Sequence, residues 1–275
     1  MASVGAAQYI DTMLNLHPPK TRTLRIPPRA SRFDVTQFLR VPGQCLVCHR
    51  WQWSDICGSC EHAFAPAVLR CQRCALRLNT DRQECMVCED YPPEFERAVT
   101  AVDYTAPWRG LISDLKFKQH TALAEPLAAL LSQQIKAAPH QARPHWIIAT
   151  PLSAQRLRER GFNQSGLLAQ ALSKRLGIPM LPQALRRIKD TPRMMSLQAD
   201  ERRQHICDAF EITPEHRRAL AGRRVAVVDD VLTSGATLNE ISRTLREGGV
   251  RSITAWVVAR TPAPNDHKAV DRVGP

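Results

Sequence analysis

No apolar run in the chain approaches the roughly 20 residues that a membrane-crossing helix needs. Even Ile253 to Ala259 is short and lies between Ser252 and Arg260, so membrane insertion is not expected. The first 30 residues lack a basic start followed by an apolar block and a small-residue cleavage site. No secretory signal is visible, the expected location is cytoplasmic, and the thiols are expected to stay reduced. That argues against a disulfide framework in spite of nine cysteines. Wholesale disorder is also excluded, because 44% of the 275 residues are hydrophobic and such a chain can bury a sizeable core. At roughly 150 residues per domain, the length suggests about two domains.

Acidic residues are scarce relative to basic ones: 26 Asp and Glu face 38 Lys and Arg, a formal charge of +12. The excess points to phosphate-bearing partners, either a small phosphorylated metabolite or a nucleic-acid backbone. The basic residues are spread over Arg156/Arg158/Arg160, Arg186/Arg187/Lys189, Arg202/Arg203 and Arg223/Arg224. Most such groups are expected to be solvated surface.

Residues 1–40 contain Pro18, Pro19, Pro27 and Pro28 without sustained periodicity and read as a flexible extension. From Val41 to Tyr91 apolar residues are sparse, yet eight of the nine cysteines fall between Cys45 and Cys88. Something other than hydrophobic burial must hold residues 41–91 together. After Pro92 and Pro93, Leu123, Leu127, Leu130, Leu131 and Ile135 stripe one face of a helix. Ile147 to Ala149 before Pro151 suits a buried strand. Asn163 is a candidate N-cap and Gly177 a stop for a helix carrying Leu168, Leu172 and Leu176. Val225 to Val228, a helix with Leu238, Ile241 and Leu245, and Ile253 to Val258 follow. Strands alternating with helices predict an α/β domain over 92–260, with a mostly parallel sheet covered on both faces. Residues 261–275 read as a flexible tail.

The cysteines form four C-x-x-C pairs, Cys45/Cys48, Cys57/Cys60, Cys71/Cys74 and Cys85/Cys88, separated by eight, ten and ten residues. Each pair can place two thiolates on one metal, and two pairs complete a tetrahedral sulfur site. Eight ligands therefore imply two zinc ions. Four repeats of this spacing argue against redox pairs. Pairing along the chain would group Cys45, Cys48, Cys57 and Cys60, then Cys71, Cys74, Cys85 and Cys88, each closing a short loop; an interleaved arrangement is the open alternative. Four sulfurs leave no open position, so the ions are expected to be structural. Cys207 stands apart and reads as a small buried residue.

The most informative segment is Val225-Ala-Val-Val-Asp229-Asp230-Val231-Leu232-Thr233-Ser234-Gly235-Ala236-Thr237. An apolar strand delivers two carboxylates to its carboxyl end, where open α/β sheets bind ligands. The turn that follows offers hydroxyls, small side chains and a glycine at a helix start, where amides and the helix dipole suit a phosphate. Carboxylates repel phosphate and must face something else, and ribose hydroxyls are the natural donors. A sugar phosphate is the implied ligand. The turn has neither the G-x-G-x-x-G spacing of a dinucleotide site nor the Lys of a Walker site.

This segment resembles the 5-phosphoribosyl 1-pyrophosphate (PRPP) signature of type I phosphoribosyltransferases. With the four C-x-x-C pairs, Leu115-Lys116-Phe117-Lys118, Pro151-Leu152 and the RERGFNQ run from Arg158 to Gln164, the chain is similar to the ComF (competence protein F) family from about Val41 to Arg260. The resemblance implies a double zinc ribbon followed by a type I phosphoribosyltransferase-like fold, in a bacterial protein linked to natural transformation and DNA uptake. It implies PRPP with Mg²⁺ as ligand, and phosphoribosyl transfer to an acceptor that the sequence does not identify. Carried over by position, Asp229 and Asp230 would hold the ribose hydroxyls, and Leu232, Thr233, Ser234, Gly235, Ala236 and Thr237 the 5′-phosphate. Arg158 and Arg160 would lie near the pyrophosphate, on a loop after the strand ending at Thr150, with Lys116 and Lys118 as weaker candidates. Met194 and Met195 stand where a Gln-containing loop is usual, and His205 where an Asn is usual; Thr150 is a milder departure.

The sheet ends near Arg260, and with no base-recognising hood in sight beyond it, the zinc module is expected to pack over the strand ends in that role. The alternative reading is a non-catalytic protein that senses PRPP or binds single-stranded DNA, together with DNA-uptake proteins. Trp51 and Trp53 could stack on bases, although in a module with so little core they read first as packing residues.

Overall fold

The computed structural model describes residues 41–138, 142–189 and 206–263. The extension over 1–40, Met194, Met195, His205 and most of the tail lie outside the described residues. The described residues begin with a hairpin of two-residue strands, β1 (Gly43–Gln44) and β2 (Trp51–Gln52), and two short helices, α1 (Gly58–Phe64) and α2 (Met86–Asp90). Then come β3 (Arg97–Asp103), α3 (Trp108–Phe117), α4 (Ala124–Ala137), β4 (Trp146–Ala149), α5 (Ala154–Arg160) and α6 (Gln164–Leu176). A hairpin of β5 (Leu185–Arg187) and β6 (Phe210–Ile212) and a short helix α7 (Arg217–Leu220) lead to β7 (Arg224–Leu232), α8 (Ala236–Glu247) and β8 (Ser252–Arg260).

Four strands form one parallel sheet in the order β3-β8-β7-β4. Successive side chains of a strand point to opposite faces, and both faces here are covered. Ala226, Val228, Trp256 and Val258 pack with Trp108 and Ile112 of α3, Leu127 and Leu131 of α4 and Leu168 of α6. Val225, Val227, Ile253, Ala255 and Val257 pack with Leu238, Ile241 and Leu245 of α8 and with Phe210 and Ile212 of β6. Burial on both sides explains why β7 and β8 read as continuous apolar runs rather than alternating ones.

Local signals account for the helix ends. Asn163 Oδ1 accepts from the Ser165 amide at 3.1 Å at the start of α6, and Gly177 at φ 62° ends it. One expectation changes: Arg156, Arg158 and Arg160 lie on helix α5, not on a loop. Ser153 caps that helix by accepting from the Arg156 amide at 3.4 Å, the following residues are mostly good helix formers, and Gly161 at φ 78° stops it. Residues two apart on a helix face different ways. Arg156 and Arg160 are half-buried, whereas Arg158 is exposed.

The cysteine-rich segment shares the core of the sheet. Cys45, Ile56 and Cys60 belong to the cluster that contains Trp108 and Leu131. The Trp108 indole Nε1 donates to the Phe64 carbonyl at 2.6 Å. Farther along, Arg70 pairs with Asp103 at the end of β3 at 2.6 Å.

Candidate functional site

The eight paired cysteines gather as two tetrads, Cys45/Cys48/Cys57/Cys60 and Cys71/Cys74/Cys85/Cys88, with the four sulfurs of each lying within 4.8 Å of one another. The arrangement is sequential, not interleaved. Cys48 and Cys57 sulfurs are 3.7 Å apart, as are those of Cys74 and Cys85. A tetrahedron with metal–sulfur bonds of about 2.3 Å has edges of roughly 3.8 Å, so the donor sets fit zinc. The knuckles repeat: His49 and Ala75, each directly after a C-x-x-C, both take positive φ, 59° and 58°, and their amides donate to the carbonyls of Cys45 and Cys71. Arg50 Nε donates to Cys48 Sγ and is the main reason that this thiol is lowered to about 6.

At the carboxyl end of β7, the two acids sit in different surroundings. Asp229 lies deep among surrounding atoms while keeping part of its surface open, and burial pushes its carboxyl up to about 7. The neighbouring Asp230 charge adds to the rise, and bonds from Ser165 Oγ and the Asp230 amide, each 2.9 Å, oppose it. Asp230 is buried; its Oδ1 accepts from Lys116 Nζ at 2.9 Å, and its Oδ2 has no partner. An unpaired carboxylate oxygen in a buried position is costly, and a ligand hydroxyl or cation would satisfy it.

Lys116 reaches the acids from the last turn of α3, whereas Lys118 turns back to Asp114 of the same helix at 2.9 Å. From α5, Arg160 places its guanidinium 5.1 Å above the Phe117 ring and donates to Gln164 Oε1 at 2.9 Å. Removal from water lowers its pKa, with the charges of Asp230 and Asp229 acting the other way. Arg160 thus stands within electrostatic reach of both acids. Arg158 is exposed on the same short helix. Thr150 sits at the end of β4 with its hydroxyl buried and unpartnered, and its carbonyl accepts from Asn163 Nδ2 at 3.0 Å.

Thr233 and Ser234 are exposed in the turn between β7 and α8, and Gly235 at φ 82° caps the helix. That left-handed conformation suits glycine. It lets the chain enter α8 directly, so that the first amides of a 12-residue helix open beside the acid pair. Arg260 links the second tetrad to this turn: its Nε donates to the Cys74 carbonyl at 3.0 Å, and its Nη1 donates to the Leu232 and Thr233 carbonyls at 2.9 and 2.6 Å.

Sequence reasoning missed Ser165 and Arg260 and underweighted Lys116. Ser165 follows the N-cap Asn163 at a helix start facing the strand ends, which was a usable signal. Two further expectations are corrected. Trp51 and Trp53 do not pack but are 71% and 67% exposed, because the metal ligands rather than aromatic rings fill the middle of the module. Cys207 is exposed, not buried, with its sulfhydryl near the Asp208 carboxylate.

The phosphoribosyl transferase domain family matches residues 163–274. DNA utilization protein YhgH of Salmonella typhi is 33% identical over 231 residues, covering 82% of this chain and all of that protein. Competence protein F of Haemophilus influenzae is 36% identical over 210 residues, covering 75% of this chain and 91% of its own. Among solved structures, the glutamine phosphoribosylpyrophosphate amidotransferase of B. subtilis superposes with a TM-score of 0.33 at 20% identity, over 49% of this chain and 25% of that one.

Proposed function

The chain belongs to the ComF family, and from that premise we propose that it binds PRPP, or a related ribose phosphate, together with Mg²⁺ at the carboxyl end of β7. The observation that carries this reading is the buried Asp230 with one unpartnered oxygen, next to Asp229 and directly before a helix-opening turn. Asp229 and Asp230 accept the ribose hydroxyls, and the Leu232–Thr237 turn holds the 5′-phosphate. Arg160 faces the pyrophosphate, with Arg158 farther out. Mg²⁺ prefers phosphate and carboxylate oxygens with water completing its shell; the free Asp230 oxygen supplies such a donor, and the ion would neutralise pyrophosphate. Lys116 holds Asp230 in the unliganded chain, so ligand and lysine share that carboxylate.

Calorimetric titration of the protein with PRPP and Mg²⁺ tests the site. Heat is expected from the parent, with affinity lowered roughly ten- to hundredfold in Asp230→Asn, since a hydrogen bond to a charged group contributes about 1.5–3 kcal/mol. A parent that gives no heat removes the reading. Transfer to an acceptor is the catalytic form of the same proposal. Pyrophosphate release that requires a particular acceptor and is lost in Asp230→Asn supports it; the names of the relatives, DNA utilization protein and competence protein, support a link between such a ligand and DNA use.

Exposure of Trp51 and Trp53, close in the chain to Arg50, favours a second activity, single-stranded DNA binding on the first zinc module. Base stacking contributes about 1–3 kcal/mol per ring. Replacing both tryptophans by alanine is expected to weaken oligothymidylate binding more than tenfold and leave PRPP binding intact, with affinity falling steeply as salt rises. Equal DNA affinity in parent and double variant would rule this surface out.

A further inference from the structure

Arg260 occupies a junction that no part of the ribose-phosphate reading requires. It is the last residue of β8, in register with Leu232 of β7 and Asp103 of β3, so three strand ends meet there. Its single guanidinium points both ways. Nε donates to the carbonyl of Cys74, a member of the second tetrad, at 3.0 Å. Nη1 donates to the carbonyls of Leu232 at 2.9 Å, Thr233 at 2.6 Å and Thr261 at 3.0 Å. We propose that Arg260 is a positioning residue that fastens the phosphate turn to the second cysteine tetrad, so that the metal site there sets how firmly the turn presents its amides to a phosphate. This rests on the ribose-phosphate reading above.

The argument runs through the peptide plane. In a trans peptide the C=O of one residue and the N–H of the next point in opposite directions. Holding the Leu232 and Thr233 carbonyls toward Arg260 therefore aims the Thr233 and Ser234 amides away from it, and this is how an anion-binding turn is pre-organised. A planar guanidinium donates along fixed directions and can join two sets of carbonyls at once, which a lysine ammonium on a flexible stem does not reproduce. The knuckle also shares buried surroundings with the turn. Ala75, adjacent to Cys74 and at φ 58°, packs in the same buried cluster as Leu232 and Ala236, the two ends of the turn. By contrast, the first tetrad packs into the cluster with Trp108, on the other face of the sheet. The two metal sites thus have different duties: both hold up the ribbon, and the second also braces the turn.

The test uses the full chain with Arg260→Met and Arg260→Lys. Zinc content is measured first, and two ions per chain are expected to remain in both variants. Amide hydrogen exchange over residues 233–238 is then compared with that over α4. Both variants are expected to speed exchange in the turn roughly tenfold while α4 stays unchanged, and to raise the PRPP dissociation constant roughly tenfold. Failure of lysine to restore the turn separates a two-ended brace from simple charge attraction. Unchanged exchange in both zinc-loaded variants overturns the proposal, as does full recovery by lysine. If the parent itself takes up no PRPP, the ribose-phosphate reading falls, while the exchange result still decides whether Arg260 braces the turn.

Discussion

Stripping the metal with a strong chelator is expected to unfold residues 42–91 and to lower the melting temperature of the whole chain. Apart from the cysteines themselves, the only buried hydrophobic side chains described between Pro42 and Tyr91 are Ile56 and Ala75. Two such side chains bury too little apolar surface to offset the ordering of about fifty residues, which costs on the order of 1–2 kcal/mol each. Zinc in the two tetrads would offset a further part of that cost, since a structural site contributes about 10–16 kcal/mol in small zinc-binding peptides. The effect spreads because Cys45, Ile56 and Cys60 pack with Trp108 and Leu131. Once the first site empties, one side of that cluster is laid open. Thiol counting with a chromogenic disulfide, followed alongside thermal denaturation, gives the readout. Eight thiols that become reactive as the melting temperature falls is the expected result. A metal-free chain with an unchanged transition would show that the tetrads do not hold the fold.

Asp229→Asn is expected to stabilise the unliganded chain at pH 8 by on the order of 3 kcal/mol while weakening PRPP binding. Burial raises this carboxyl to about 7, whereas an unfolded Asp titrates near ~3.9. Between those values the folded chain retains a proton that the unfolded chain releases. Stability therefore declines as pH rises through this window, and the full penalty stands above it. Asparagine keeps an oxygen for the bonds from Ser165 and the Asp230 amide, carries no charge, and removes repulsion with Asp230. Denaturant unfolding of both proteins at pH 5 and pH 8 reads the difference. The gap should be small at pH 5 and large at pH 8. A variant less stable than the parent at pH 8 would mean that the buried charge is compensated and the site is not held at a cost.

What was legible in the sequence was local. C-x-x-C spacing marked the two sulfur tetrads because both sulfurs of a pair come from one knuckle. The Val225–Thr237 segment marked the candidate site because strand, acids and turn are contiguous. Asn163 and Gly177 marked the ends of α6. Other features depended on residues far apart in the chain. Ser165 meets Asp229 across 64 positions and Arg260 meets Cys74 across 186, and no period or motif reports such pairs. Strand β3 carried a signal that was not used, since Ala98-Val-Thr-Ala-Val102 is a compact buried run with β-branched residues. Trp51 and Trp53 went astray for a physical reason: aromatic rings fill a core only where there is one to fill, and the gathered cysteine sulfurs take its place.

The sheet order bears on how the chain can be divided. Residues 163–274, the stretch matched to the phosphoribosyl transferase domain, include β7 and β8 but neither β3 nor β4, the outer strands of the sheet. A fragment trimmed to that stretch would bare two long unpaired backbone edges lined with Val, Ile and Trp, an invitation to stack edge to edge with its own copies. The smallest soluble unit has to reach back at least to Arg97, and the ion pair between Arg70 and Asp103 pulls that boundary into the cysteine-rich segment.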